Sequence, residues 1–405
     1  MSLDRILALL QSVGLSNPVE EMIVITDEPK IHGYLCFPTK EAKSLFNIKD
    51  IFGQGFDMDK TKAKIKAIAE FLERLCLEKP NEDQFLIDQY KLDGEFIDPA
   101  LFCCYSREQI FGKDDFIKRI RKETYRWIQV DNLFGGKVLI PSQLVFLSPE
   151  VDDETPIRKE RISTGAALGS SDNNYAFNAG FLEVIERDSC ISAYLTKKKI
   201  PRIVNLPPKI KKLVDYLGRY QLEPNIFDVS TDLGVPSVLV ITLDKSGVGP
   251  AVNTGSRSDF NYEDAINYSL LESIQCRRPA RVMKVLQQNI DKICSLEDRF
   301  LFWSSTERIN DLDFWLTSPS TIDYEDLIRR KISFENVLDF FQSKGYHIFT
   351  ADITLPQIKK CGFKVLKVII PELHPLYLNE EAKALYSIHH GTINEDKTLK
   401  PHPFT

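Results

Sequence analysis

Two stretches of this chain repeat one string, E-F-L-E-R at residues 70–74 and E-V-I-E-R at residues 183–187. At 3.6 residues per turn, spacings of three and four place Glu, Glu and Arg on one face of a helix. On an exposed helix this is ordinary lacing by i,i+4 pairs, each worth a few tenths of a kcal/mol. The second string sits in different company. In YAFNAGFLEVIERDS, Phe177, Phe181, Leu182, Val184 and Ile185 occupy nearly the whole circumference, so this helix should be buried on most sides. Glu183 and Glu186 then form its only polar strip. A buried carboxylate without a partner is very costly. Arg187 can supply one cation, yet two such helices converging bring four carboxylates against two arginines. Mg²⁺ is the natural remaining partner, because it takes oxygen ligands and shares them with phosphates. The carboxylates have too little His or Cys company for zinc.

A third helix, in NYSLLESIQCRR, adds Ser269, Glu272, Gln275 and Arg277 as a narrow polar strip beside Ile266, Leu270, Leu271 and Ile274. A glycine-bearing stretch precedes each helix: FGQGFD (52–57), STGAALGSSD (163–172) and NTGSRSD (253–259). These read as loops running into helix N-termini, where backbone N–H groups can approach phosphate oxygens. One such loop says little, whereas three repetitions of loop and acidic helix form a pattern.

The rest of the chain is consistent with a mixed α and β architecture in one large domain. Helices are expected at 61–75, 175–189, 262–277 and 333–344, and two strands at 126–147 around a Gly135-Gly136 turn. SVLVITL (237–243) and FKVLKVII (363–370) are apolar runs of the kind found in strands buried on both faces. With 43% hydrophobic residues among 405, a sizeable core is expected. The formal charge of −6 offers no general attraction to nucleic acid or anionic membranes. No apolar stretch could span a bilayer, the opening MSLDRILALLQSVGL lacks a signal-peptide pattern, and the eight cysteines show no zinc spacing. A cytoplasmic location is the expectation.

The three strings together resemble the signatures of the YcaO family. STGAALGSSDNNYAFNAGFLEVIERDS is similar to its second signature, GQGFDMDKTKAKIKAIAEFLER to its first and GSRSDFNYEDAINYSLLESIQCR to its third. The resemblance runs from about Phe52 to the C-terminus. It implies an α+β, YcaO-like fold with mixed β-sheets and packed helices forming an ATP site. It divides the chain into an N-terminal segment (1–50) and a YcaO domain with a proline-rich tail (51–405). It also implies ATP and Mg²⁺ as cofactors. Matching positions make Glu70, Glu73, Glu183, Glu186 and Glu272 metal or nucleotide ligands, and Arg74, Arg187 and Gln275 phosphate or nucleotide contacts. Gln54, Lys66 and Tyr175 depart from the family pattern, which often has Lys, Ser and Glu there.

YcaO proteins are associated with ATP-driven activation of peptide amide oxygens. The ending KPHPFT resembles the PxPxP tail of the azoline-forming cyclodehydratase branch, the D proteins of thiazole/oxazole-modified peptide biosynthesis. That resemblance places Pro401, Pro403 and Thr405 at the active site, makes His402 a candidate there, and implies thiazoline or oxazoline formation from Cys, Ser or Thr of a precursor peptide. Alternating prolines would stiffen the tail enough to thread inward. The implied partners are the precursor peptide, a separate E1-like or leader-peptide-binding protein and a flavin dehydrogenase, with a homodimer possible. Peptide thioamidation and a non-catalytic partner role are the alternatives. His374 also invites an acid–base role, whereas His389 and His390 read as an exposed pair.

Overall fold

The computed structural model describes residues 14, 17–46, 51–78, 87–88, 95–110, 114–147, 154–158, 160–286, 292–330 and 332–404. Of the opening MSLDRILALLQSVGL only Gly14 is among them, and Thr405 lies outside them. In chain order the principal strands are β1 (His32–Cys36), β2 (Gly53–Asp57), β3 (Arg126–Asn132), β4 (Lys137–Pro141), β5 (Ala166–Ser170), β6 (Arg202–Val204), β7 (Leu222–Asp228), β8 (Ser237–Asp244), β9 (Val252–Ser258), β10 (Thr321–Asp323), β11 (Phe349–Asp352) and β12 (Phe363–Ile369). The helices that matter to the site are α1 (Lys60–Glu78), α2 (Tyr175–Leu195) and α3 (Tyr262–Gln275).

The strands form separate sheets. β1 and β2 pair antiparallel in the first. β9-β8-β7-β6-β10 form the second, antiparallel except for the parallel β6–β10 edge. The third contains β3-β11-β12-β5, with β4 folded back on β3 through the expected turn, where Gly135 and Gly136 both have positive φ. The architecture is α+β. No helix among the described residues is long and apolar enough to cross a membrane.

β8 bears out the reading of its apolar run, since all eight of its residues are buried. Period-2 alternation explains why. Leu239, Ile241 and Leu243 share a cluster with Ile191 and Tyr194 of α2. Val238 and Val240 point the other way, into a cluster with Ile266 and Leu270 of α3. β12 differs from expectation: Lys364 and Leu366 are only half-buried, so its second face is partly open.

The glycine stretches are also corrected. Much of each is strand, because β2 and β5 lie within the first two and β9 runs through the third as far as Ser258. Their glycines let helices approach. A Cβ on Gly53 would lie 2.1 Å from the Ala67 carbonyl oxygen, and one on Gly255 would lie 2.3 Å from that of Ser269. Gly255→Ala should therefore lower stability by about 1–3 kcal/mol in chemical denaturation, as overpacking does.

Short polar caps start the helices. Asp59 accepts hydrogen bonds from the Thr61 and Lys62 N–H groups ahead of α1, and Asn261 accepts from Glu263 in α3. α3 ends at Gln275, two residues before the expected boundary, and a new helix begins at Arg277. Arg277 consequently leaves the polar strip. Its guanidinium lies buried between Glu28, at 2.8 Å, and Asp244, at 2.7 Å.

Candidate active site

The three helices close a ring over the three glycine-bearing strands. α1 packs on β2 and β5, α2 on β5 and β9, and α3 on β9 and β2. Each helix contributes one glutamate that reaches back to a backbone N–H of its own strand or the residue just before it. Glu70 accepts from Gln54 at 3.0 Å, Glu183 from Gly165 at 2.8 Å and Glu272 from Ser256 at 2.7 Å. The positions three residues before these glutamates are Ala67, Gly180 and Ser269, each in close approach to a glycine backbone. Small residues at the crossing allow the carboxylates to reach.

The ring brings Glu70, Glu73, Glu183, Glu186 and Glu272 close enough to act on one another's charge, but no three of them offer oxygens within 4.8 Å of one another. Arg74 pairs with Glu70 at 2.6 Å and donates to the Phe52 carbonyl at 3.0 Å. Arg187 lies 3.5 Å from Glu186 and 3.7 Å from Glu183. Ser256 joins two helices, its hydroxyl donating to Glu186 at 2.7 Å while its N–H serves Glu272.

The electrostatics follow chiefly from burial, with repulsion between the glutamates added to it. Burial pushes the Glu186 carboxyl up to about 7, Arg187 opposes this, and Glu272 adds repulsion. Burial, reinforced by Glu183 and Glu70, holds Glu73 well above the ordinary range. Glu272 and Glu70 are raised mainly by burial as well. Burial works against the charge of Arg187, but Glu186, Glu183 and Glu272 outweigh it and raise its pKa. Carboxylates raised chiefly by burial, with mutual repulsion added, are groups that a hard divalent cation would draw back to the ionised state.

Sequence reasoning missed two cations. Arg257 on β9 is raised by Glu186 despite burial, and its guanidinium lies 5.5 Å from the Tyr268 ring centre. Lys367 on β12 is 2% exposed and donates to the Ile162 carbonyl at 2.7 Å. Burial depresses its pKa to about 8, with Glu183 and Glu73 resisting. A lone lysine inside an apolar strand run was the available signal for Lys367. Arg257 was hidden in NTGSRSD, read as a loop. An open cleft borders the ring, lined in part by Arg158, Arg161, Thr164, Arg187 and Lys367.

The departures from the family pattern are accommodated. Gln54 serves Glu70 through its backbone, which side-chain identity leaves unchanged. Lys66 pairs with Asp57 at 2.8 Å and lies 4.9 Å from the Tyr268 ring centre. Tyr175 is exposed at the start of α2. Gln275 is half-buried at the end of α3.

Residues 401–404 run inward. Thr254 on β9 donates to the Pro403 carbonyl at 2.7 Å, two residues from Ser256. Trp303 Nε1 donates to the Pro401 carbonyl at 3.1 Å, and Arg299 donates to that of His402. His402 is fully buried between Tyr377 and Phe404, and burial holds its pKa well below the ordinary value. Burial likewise brings His374 down to about 4. Both are neutral near pH 7 and packed against carbonyls, which suits positioning more than proton transfer.

His389 and His390 are not the exposed pair their polar stretch suggests. The His389 side chain is 3% exposed, and both rings turn onto Asp188. The burial comes from α2, more than 200 residues earlier, which no local pattern announces.

With this geometry in place, comparison with known proteins is informative. Residues 54–374 match the sequence model of the YcaO family, described as an ATP- and Mg²⁺-binding cyclodehydratase. The chain belongs to the YcaO family, and ATP and Mg²⁺ are its cofactors. An uncharacterized protein of Methanothermobacter thermautotrophicus is 25% identical over 338 residues, which make up 80% of this chain and 81% of that protein. The structure of YcaO from Methanopyrus kandleri bound with AMPPCP and Mg²⁺ superposes with a TM-score of 0.68 at 18% identity, covering 99% of this chain and 96% of that one. The E. coli microcin synthetase McbBCD complex with pro-MccB17 bound gives 0.70 at 16%, with 96% of each chain covered. A heterocyclase in complex with substrate and cofactor gives 0.69 at 18%, covering 92% of this chain. The chain spans about half, 53%, of that heterocyclase.

Proposed function

We propose that this chain is the amide-activating component of a peptide cyclodehydratase, forming thiazoline or oxazoline rings from Cys, Ser or Thr of a precursor peptide. The observation that carries this reading is the path of residues 401–404, whose Pro403 carbonyl is held by Thr254 on the strand that also presents Ser256 to Glu186 and Glu272. A stiff inward tail beside the carboxylate ring is what the azoline-forming resemblance calls for.

In this reading Glu70, Glu73, Glu183, Glu186 and Glu272 hold Mg²⁺, while Arg74, Arg187 and Gln275 address the nucleotide. Mg²⁺–ATP supplies an electrophilic phosphoryl group for the peptide amide oxygen. The chain's own groups orient that centre. Ser256 sets the Glu186 and Glu272 carboxylates, and Arg187 and Arg257 offset charge around them. Pro401, Pro403 and Thr405 position the peptide from the tail side. The partners we infer are the precursor peptide and a separate E1-like or leader-binding protein that delivers it, with a flavin dehydrogenase acting on the product. The compartment we infer is the cytoplasm.

The test is a reaction of the purified chain with ATP, Mg²⁺, a Cys/Ser/Thr-containing precursor and its delivery protein. Phosphate release should depend on the peptide, and the peptide should lose one water per ring by mass. Exchange of oxygen for sulfur in the presence of sulfide would assign thioamidation instead. Absence of any peptide-dependent phosphate release would leave a non-catalytic partner.

A further inference from the structure

Asp188 follows Arg187 on α2 but turns away from the carboxylate ring. Its side chain is completely buried and sits beneath the short hairpin formed by Tyr386–Ser387 and Gly391–Thr392. Both rings at the hairpin tip converge on one oxygen. His389 Nδ1 and His390 Nε2 each lie 2.9 Å from Asp188 Oδ2. The other carboxylate oxygen is occupied, since Oδ1 accepts the His374 N–H at 2.7 Å.

The backbone that presents the rings is held at several points. The His389 N–H donates to the Glu372 carbonyl at 2.9 Å, and the His390 N–H donates to the Ser387 hydroxyl at 3.0 Å. Gly391 takes φ +70°, which lets the chain turn back at once. On its outer side, His389 Nε2 lies 2.8 Å from Asp232 Oδ1. Histidines that bind metals generally pass their second ring N–H to a carboxylate in this way, which fixes the tautomer and strengthens the ligand.

We propose that Asp188, His389 and His390 form a second metal site, for one borderline divalent ion of the zinc class, that fastens the C-terminal segment to the helix carrying E-V-I-E-R. The three ligand atoms lie within 4.8 Å of one another and are the only such group among the described residues. A tetrahedral ion with ligands about 2.0–2.1 Å away needs them about 3.3 Å apart, so the two 2.9 Å His–Asp contacts must widen slightly and the two ring nitrogens, within 4.8 Å of each other, must settle at that spacing.

A doubly protonated His389 between Asp188 and Asp232, with a ring N–H of His390 on Oδ2, satisfies the same contacts without an ion, and metal binding would replace the proton on Nδ1 while keeping the Asp232 contact. Ligand chemistry also separates the two centres. Imidazole nitrogens favour zinc-class ions, whereas the all-oxygen ring suits Mg²⁺. The site needs no part of the proposed peptide chemistry, so it stands or falls separately from that reading.

The experiment uses the full chain, stripped with a chelator and held in excess Mg²⁺ with a non-hydrolysable ATP analogue, then titrated with Zn²⁺ or Co²⁺. We expect one ion per chain at micromolar or tighter affinity, d–d absorption on Co²⁺ binding and a rise in Tm with Zn²⁺. His389→Gln/His390→Gln should abolish all three. Asp232→Asn, on a largely exposed side chain whose replacement leaves the core untouched, should weaken binding by about 10–100-fold. Lack of stoichiometric binding by the native chain, or undiminished binding by both variants, would overturn the proposal.

Discussion

Glu186→Gln is expected to reduce peptide-dependent phosphate release by at least about 10³-fold while leaving a folded protein. The fold should tolerate the change for a specific reason. Burial already raises the Glu186 carboxyl to about 7, so without a bound cation the site disfavours its charged form more than water does. A glutamine amide copies the neutral form in size, and its carbonyl oxygen can still accept from the Ser256 hydroxyl. What the amide lacks is the negative charge that a divalent cation recovers. Arg187 would face one carboxylate fewer, yet Glu183 remains at 3.7 Å. The decisive pair of measurements is phosphate release and thermal unfolding on the same preparation. Loss of turnover with Tm within a few degrees supports the metal-ligand role, and undiminished turnover would remove Glu186 from the site.

The second large effect concerns the tail. Replacing both Pro401 and Pro403 by glycine should cut ring formation by about 10²-fold, with Mg²⁺–ATP affinity nearly unchanged. The contacts that hold the native path include Thr254 to the Pro403 carbonyl at 2.7 Å, Trp303 to the Pro401 carbonyl at 3.1 Å, Tyr194 to the Lys400 carbonyl at 3.0 Å and Arg299 to the His402 carbonyl. Each proline limits φ, and its loss frees the chain by about 0.4–1 kcal/mol. Small misplacement at a reacting centre is punished heavily, whereas nucleotide binding depends on α1, α2 and α3, which the tail prolines do not build. Product mass and nucleotide titration separate the two effects. Normal ring formation by the double variant would show that the tail does not serve catalysis.

The acidic helices were legible because their evidence is local. A helix writes its buried face into residues three and four apart, and the near-continuous apolar girdle around Glu183 and Glu186 announced that these charges would be enclosed. α2 is indeed buried along most of its length, and Glu186 is 3% exposed. The hairpin at Gly135-Gly136 and the fully buried β8 were legible for the same reason, since turn chemistry and period-2 apolarity are properties of a few consecutive residues.

The glycine stretches show where local evidence ends. Read alone, FGQGFD and NTGSRSD look like loops, because glycine is a poor strand residue without a partner. They become strands when β1 pairs with β2 and β8 with β9, and when a helix backbone comes so near that a Cβ would collide. Arg277 was misplaced by the converse error: its helical spacing was right, but Glu28 and Asp244 drew it into another buried contact.

By itself, then, the sequence determined the α+β class and the three acidic helices, and it showed that their glutamates would be costly to bury. Charge, periodicity and the cost of burying carboxylates are all readable along one dimension. Only the tertiary structure decided that Arg257 and Lys367 join that ring, that residues 401–404 run beside β9, and that His389 and His390 close on Asp188. Each of these depends on contacts between residues far apart in the chain, whose energies are gained only when strands pair and helices pack.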